Sequence, residues 1–237
     1  MEGSMRRALA PAQRKVYEDI KEAYRLKIDE SIKKNGTSRS AMTILEALLR
    51  LRQACLFPSL INPAWADSGS AKADLLADIM TELAAEDHKA LIFSQFTEVL
   101  DRIGGNLKNS NLDYVRLDGQ TANRAAPIAR FQDDPACRLF LISLKAGGVG
   151  INLTAADYVI LFDPWWNPAV ENQAIDRAHR IGRDRPVIVY RLIARDTVEE
   201  KMLTLQQRKR ELALSLTDSD ESLAGSLAPG ELLELLG

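Results

Sequence analysis

One segment, Gln173-Ala-Ile-Asp-Arg-Ala-His-Arg180, has the residue types and spacing of an anion clamp. On a helix turning about 100° per residue, Gln173, Arg177 and Arg180 fall within about 60° of one another. Two guanidinium forks beside an amide suit a transferring phosphoryl group, because they stabilise the charge that develops on it. The same stretch also reads as a solvated helix face with Glu171 and Asp176 as pairing partners, and His179 as a packing residue. A second candidate is Ser143-Leu-Lys-Ala-Gly-Gly-Val-Gly-Ile-Asn152. Its glycines (Gly147, Gly148, Gly150) allow close backbone approach to a phosphate, with Ser143 and Lys145 as anion-contacting side chains. A plain strand-to-helix turn is the alternative. In Asp163-Pro-Trp-Trp-Asn-Pro168 two indoles are expensive to expose, so Trp165 is expected to pack and Trp166 to remain open to a partner. In Arg116-Leu-Asp-Gly-Gln-Thr121, Thr121 either caps the next helix or, with that helix N-terminus, holds a phosphate.

Two familiar parts are missing from this sequence. There is no G-x-x-x-x-G-K-[ST] loop, and no acidic pair follows a strand in the manner of a magnesium site. The chain therefore offers a phosphate clamp without a phosphate cradle or a metal site.

These groups need a scaffold, and the hydrophobic pattern supplies one. Short apolar runs at Ala90–Phe93, Tyr114–Leu117, Leu139–Ile142, Tyr158–Phe162 and Val187–Ile193 read as strands. Helix-period segments at Thr97–Lys108, Thr121–Gln132 and Ala169–Ile181 lie between most of them. That alternation predicts an α/β fold, a parallel sheet with helices on both faces. Ligands bind such sheets beyond the carboxyl ends of the strands, so the loops after Phe93, Leu117, Ile142 and Phe162 are the ones that matter. Upstream, Val16, Ile20, Tyr24 and Ile28 form an apolar stripe on a helix that starts near Pro11 and stops at Asn35-Gly36. A second helix, Ser40–Leu56, completes a helical hairpin, and the Pro- and Gly-containing residues 57–70 read as a linker. A helix follows over Lys72–Glu86. Thr197-Val-Glu-Glu200 is a capping box that opens a last long helix, running to about Leu214. Three consecutive segments result: a hairpin and link at 1–69, the sheet lobe at 70–216, and a mobile tail at 217–237, with Glu231–Leu236 forming a helical turn or two. Met1-Glu-Gly-Ser4 reads as an appended leader.

Composition narrows the class. In 237 residues, 31 Lys and Arg face 33 Asp and Glu, so neither a wholly basic nucleic-acid coat nor a disordered acidic tail fits. The basic excess sits in residues 1–60, with twelve Lys/Arg against seven Asp/Glu. No apolar run approaches the ~20 residues of a membrane span, so no membrane partner is expected. Two distant cysteines and two histidines leave neither a disulfide framework nor a metal cage, and a reducing cytoplasm fits best.

Taken in order, these segments resemble the C-terminal RecA-like helicase lobe of the Swi/Snf family of DNA translocases, within helicase superfamily two. Ala90–Phe96 is similar to helicase motif IV, and Arg116–Thr121 to the motif that follows it. Ser143–Leu153 resembles motif V, Asp163–Pro168 the tryptophan element, and Gln173–Gly182 motif VI. Leu9–Tyr17 and Leu48-Leu-Arg-Leu-Arg-Gln53 resemble the link between the family's two lobes, and the last long helix its brace. The resemblance implies that ATP binds between two lobes, the first bringing the P-loop and the magnesium acid. It implies that Arg177 and Arg180 are arginine fingers positioned by Gln173, with Gly150 and Asn152 near the nucleotide. It assigns Ser94, Gln95, Thr121, Ser143, Lys145 and Gly147 to the backbone of double-stranded DNA, with Trp166 against that DNA. ATP and Mg2+ would be held only by the complete, monomeric two-lobe enzyme, and this chain alone would be inactive. Where the family usually has Gln after His-Arg-Ile-Gly, Arg183 stands here, followed by Asp184-Arg185; it either adds a DNA contact or pairs with Asp184. The short linker looks bacterial or archaeal, which implies a cytoplasmic, nucleoid-associated protein. A strand-separating helicase lobe and a degenerate protein-interaction module are the alternatives.

Overall fold

The computed structural model describes residues 2–36, 38–147, 153–165, 168–176, 178, 186–215 and 229–236. In chain order the elements are β1 (Glu2–Ala8), α1 (Pro11–Asn35), α2 (Ala41–Leu56), α3 (Ala71–Ala85), β2 (Ala90–Ser94), α4 (Thr97–Asn109) and β3 (Tyr114–Leu117). There follow α5 (Ala125–Asp133), β4 (Leu139–Ser143), α6 (Leu144–Gly147), β5 (Tyr158–Leu161), α7 (Pro168–Asp176), β6 (Ile188–Arg195), α8 (Val198–Ser215) and α9 (Pro229–Leu236). Two compact units account for the chain: Met1–Arg7 with Lys72–Ile193, and Ala8–Ala71 with Ala194–Gly237. The division joins distant stretches, whereas the sequence reading cut the chain into three consecutive segments. The brace helix α8 groups with the N-terminal helices, not with the sheet.

The first unit is built on a six-stranded sheet in the order β1-β6-β5-β2-β4-β3. β2 to β6 run parallel. Central β2 and its neighbour β4 are buried along their whole length, which is why both read as continuous apolar runs. Leu91, Phe93, Phe140, Ile142, Val159 and Leu161 join one core cluster. Ile92, Leu141 and Ile160, equally buried between them, face the other way. The five expected strands are present, and β1 is an addition: Glu2–Ala8, whose first residues read as appended, pairs beside β6. An edge strand of charged and small residues carries no apolar run to announce it. α4 tolerates Gly104 because the Tyr114 side chain lies where a Cβ would stand.

The second unit rests on the α1/α2 hairpin, which buries Val16, Ile20 and Ile28 with Ile44, Leu48 and Leu51. Three polar residues of α1 stitch it together. Gln13 is buried, donates to the carbonyls of Ala54 (2.9 Å) and Cys55 (3.2 Å), and accepts from the Ala71 N–H (3.0 Å). Arg14 donates to the carbonyls of Asp196 (2.8 Å) and Arg195 (2.7 Å). The Tyr17 hydroxyl accepts from the Val198 N–H at 2.9 Å, and burial pushes its ionisation far above the usual phenol range. The capping box at α8 is rearranged. Thr197 Oγ1 accepts from the Glu199 N–H (3.2 Å), while Glu200 reaches back to the Asp196 N–H (2.8 Å). The helical turn or two expected at Glu231–Leu236 is present and begins at Pro229. There α9 buries Leu232 and Leu235 and packs on α2 and α8, since an amphipathic Leu-Leu-x-Leu-Leu turn gains by covering apolar surface.

Candidate nucleotide and nucleic-acid interface

Because β2 to β5 are parallel, the loops after Ser94, Leu117, Ser143 and Leu161 emerge at one edge of the sheet. The chain leaves β2 toward β3 and β4 on one side, and leaves β5 toward β6 on the other. Such a divergence opens a crevice between the two strands, where open α/β sheets take ligands. A buried carboxylate closes the floor of that crevice. Asp163, directly after β5, is 1% exposed and accepts the Ser94 hydroxyl at 2.5 Å. The Gln95 N–H lies 3.3 Å from both of its oxygens, and Ser94 Oγ also accepts from the Phe96 N–H (3.1 Å). Ser94 is thus fully buried and committed to Asp163. A direct contact from its hydroxyl to DNA does not fit this arrangement, and Gln95, half-buried at the start of the loop, is the less buried of the two.

The loop after β3 is organised in the same way. Asp118 Oδ1 accepts from the Gln120 N–H (2.9 Å) and the Thr121 hydroxyl (3.3 Å), and Oδ2 from Arg116 Nε (2.7 Å). Burial works against ionisation of Asp118, but the Gln120 N–H, the Arg116 guanidinium and the Thr121 hydroxyl more than offset it and hold its carboxyl below the usual range. Thr121 does not cap a helix, because this turn delays α5 to Ala125; its hydroxyl also accepts from the Asp118 N–H (3.0 Å). Any phosphate at Thr121 would meet a tight turn and not a helix N-terminus. After β4, Ser143 is 3% exposed and accepts the Ala146 N–H (3.2 Å), which starts the single turn α6 that contains Lys145 and Gly147. Arg124 donates to the Ala146 carbonyl (2.5 Å) and fixes that turn from the side.

Pro168 opens α7, where its missing N–H is harmless. Glu171, Ala174 and Ile175 are buried, whereas Asn172, Gln173 and Asp176 are exposed. Gln173 therefore lies on the free face of this helix. Glu171, one of the acids named for the solvated-face reading, has two partners among the described residues. It is 3% exposed and accepts the Trp165 N–H (2.7 Å) and Arg191 Nε (3.0 Å). Trp165 packs against the core cluster, as expected for the first indole. Gly150, Asn152, Trp166, Arg177 and Arg180, together with His179 and Arg183 to Arg185, lie outside the described residues. Sequence reasoning missed Asp163, Glu171, Arg124 and Arg191 as organisers. Asp163 carried a signal, an acid directly after an apolar strand; the others look like any surface charge in the one-dimensional string. Among the described residues no group of three or more His, Cys, Asp or Glu could hold a metal ion, and no helix is long and apolar enough to cross a membrane.

The family model described as helicase conserved C-terminal domain matches residues 71–182, the stretch that supplies all of these loops. An uncharacterized ATP-dependent helicase of Mycoplasma genitalium is 42% identical over 206 residues, covering 85% of this chain and 20% of that protein. The Sulfolobus solfataricus SWI2/SNF2 ATPase C-terminal domain superposes with a TM-score of 0.74 at 32% identity, covering 99% of this chain and 97% of that one. The chain belongs to the SWI2/SNF2 family. It corresponds to the C-terminal, RecA-like lobe of that family. The Sulfolobus SWI2/SNF2 ATPase core in complex with dsDNA is also similar, with a TM-score of 0.76 and 33% identity over 99% of this chain and 49% of that chain. The SWI2/SNF2 lobe described here thus spans about half of that core and about a fifth of the Mycoplasma relative.

Proposed function

We propose that the chain is the second motor lobe of a DNA-dependent ATPase that moves along double-stranded DNA, of the remodelling or repair type. The observation that carries this reading is that the loops after β2, β3, β4 and β5 emerge at one carboxyl edge of a parallel sheet, in a sequence without a P-loop. A lobe of this kind needs a neighbour to seat the triphosphate and Mg2+; its own donors fit phosphate and amide recognition, not metal binding. In this reading Arg177 and Arg180 reach the γ-phosphate across the cleft and stabilise developing charge, and Gln173 on the free face of α7 helps place them. Gly150 and Asn152 border the nucleotide. Gln95, Thr121, Ser143, Lys145 and Gly147 follow the backbone of one DNA strand, with Trp166 beside it. Contacts to phosphate and sugar make binding independent of sequence and sensitive to salt. Closure of the lobes on ATP and reopening after hydrolysis would shift the grip by a step. The complete enzyme would act as a monomer on the nucleoid of a bacterial or archaeal cell.

The test is turnover with and without duplex DNA. The complete two-lobe protein should hydrolyse ATP with strong stimulation by duplex, and this chain alone should show none above background. Full turnover by the chain alone would end the half-motor reading. Strand displacement without any need for duplex stimulation would favour a strand-separating helicase, and no binding to DNA or to a supplied first lobe at low salt would favour an interaction module.

A further inference from the structure

The edge of the sheet that carries the clamp helix holds an ion chain that none of the contacts proposed above requires. Glu171 sits in the first turn of α7, where an acid is favoured by the helix dipole. Its two oxygens go to different elements. Oε1 accepts the backbone N–H of Trp165, in the loop after β5, at 2.7 Å. Oε2 accepts Arg191 Nε, on β6, at 3.0 Å. Arg191 continues the chain, with Nη1 donating to Glu2 of β1 at 2.9 Å. The side chains of Glu171 and Arg191 are only 4% and 14% exposed, so the pair is shielded from solvent, whereas Glu2 is 56% exposed.

A buried ion pair is a poor stabiliser compared with an apolar pair of the same volume, because desolvation offsets most of the attraction. Its use lies in geometry. The carboxylate ties the path of the tryptophan loop to the rotation of α7 about its own axis. Any turn of the helix that moved Gln173 would carry Glu171 away from the Trp165 N–H or from Arg191. We infer that Glu171 is a positioning residue that makes the tryptophan loop and the clamp helix move as one body, so that DNA seen by the loop is felt at the nucleotide. Arg191 is the anchor of that body on the sheet, and Glu2 steadies the anchor from β1. The inference rests on the motor reading given above.

Glu171→Gln removes the charge but keeps the length. One amide oxygen can still accept the Trp165 N–H, but the amide NH2 then meets the Arg191 N–H, donor against donor. In the complete two-lobe ATPase this variant should keep its DNA-free turnover within about threefold and lose at least about tenfold of the duplex-stimulated kcat, a misplacement effect of the size a shifted catalytic group produces. The KM for ATP should stay within about threefold. Arg191→Lys, which keeps a charge on Glu171 but cannot also span to Glu2, should lose less, and Glu171→Asp should lose more than Arg191→Lys because the shorter arm cannot reach both donors. A stimulated-to-basal ratio unchanged in both Glu171→Gln and Arg191→Lys overturns the inference, as does a parallel fall of basal and stimulated rates, which marks a merely structural role. Should Glu171→Gln fail to fold, the ratio measured for Arg191→Lys decides alone. If the unmodified enzyme shows no duplex stimulation, the motor reading fails first, and the two failures are told apart.

Discussion

The two edges of the sheet are built from similar residue types and use them in opposite ways. At the amino edge, long cations are matched to neighbours. Lys89 Nζ donates to the carbonyls of Phe131 (2.5 Å) and Asp134 (2.8 Å), closing the end of α5. Arg138 pairs with Asp87, Arg130 with Asp113, and His88 lies 3.3 Å from Asp157. At the carboxyl edge the buried acids Asp118, Asp163 and Glu171 accept backbone N–H groups or hydroxyls of the loops themselves, and Asp118 and Glu171 each add one arginine, Arg116 and Arg191. The first edge is a set of closed pairs; the second uses its buried acids to hold loops in defined shapes. A shallow cavity of about 250 Å³ does lie at the amino edge, lined by His88, Asp113 and Arg138 among others, but those three are already engaged. The lesson is that charge density does not mark the working edge; the direction in which the buried acids point does.

The contrast can be broken by substitution. The largest effect is expected from Arg177→Ala or Arg180→Ala in the complete enzyme. Each should lower ATP turnover by about 10³–10⁵ while leaving duplex binding in place, as for arginine fingers generally. A variant that keeps half its turnover removes that residue from the role. Asp163→Ala comes next. Without its acceptor, Ser94 and the Gln95 N–H lose their common partner, and the loop after β2 shifts; duplex-stimulated turnover should fall by about 10²-fold. Steady-state kinetics alongside a melting curve would separate this from simple unfolding. At the opposite edge Lys89→Met should cost about 1.5–3 kcal/mol in denaturant unfolding, the range for hydrogen bonds to a charged group, with turnover unchanged. A large loss of activity there would erase the distinction between the edges.

The smallest effect is a pH dependence. The folded carboxyl of Asp118 is held below its unfolded value, so its contribution to stability is complete above about pH 3.9 and disappears as pH falls through the lower folded value. The stability gap between the unmodified chain and Asp118→Asn should accordingly be widest near neutrality and narrow in acid. Melting temperatures at pH 7 and at pH 3 would check it, and a gap that widened in acid would contradict the sign.

Much of this architecture was legible from residue patterns, for identifiable reasons. The inner strands β2, β4 and β5 bury both faces, so Ala90–Phe93, Leu139–Ile142 and Tyr158–Leu161 stand out as apolar runs. The hairpin α1/α2 has a regular stripe. β1 was hidden, because an edge strand needs no apolar run and its pairing to β6 spans nearly the whole chain. The start of α5 was misplaced by four residues, because Asp118 captures Thr121 in a turn and a propensity argument sees only a good cap. Of the candidate site, motif order alone proposes Gln95, Thr121, Ser143 and Gln173; the structure puts the first three at the carboxyl ends of β2, β3 and β4 and Gln173 at an exposed position of α7. That Ser94 is turned inward by Asp163, and that Glu171 answers to Arg191, depends on contacts 69 and 20 residues apart that no local window contains, and the Glu171–Trp165 contact, six apart, crosses a loop-to-helix junction that helical periodicity does not pair.

The placement of β1 bears on how this lobe can be produced and recombined. A fragment begun at residue 70, where composition suggests a border, would keep β6 and discard the strand that lies along it. β6 carries Ile188, Val189, Leu192 and Ile193 and would present an open row of N–H and C=O groups, a template for adding strands from other molecules. Such a truncation should form soluble aggregates in proportion to concentration. A lobe exchange between relatives should therefore set its joint upstream of Glu2, so that the sheet travels with its own selvedge.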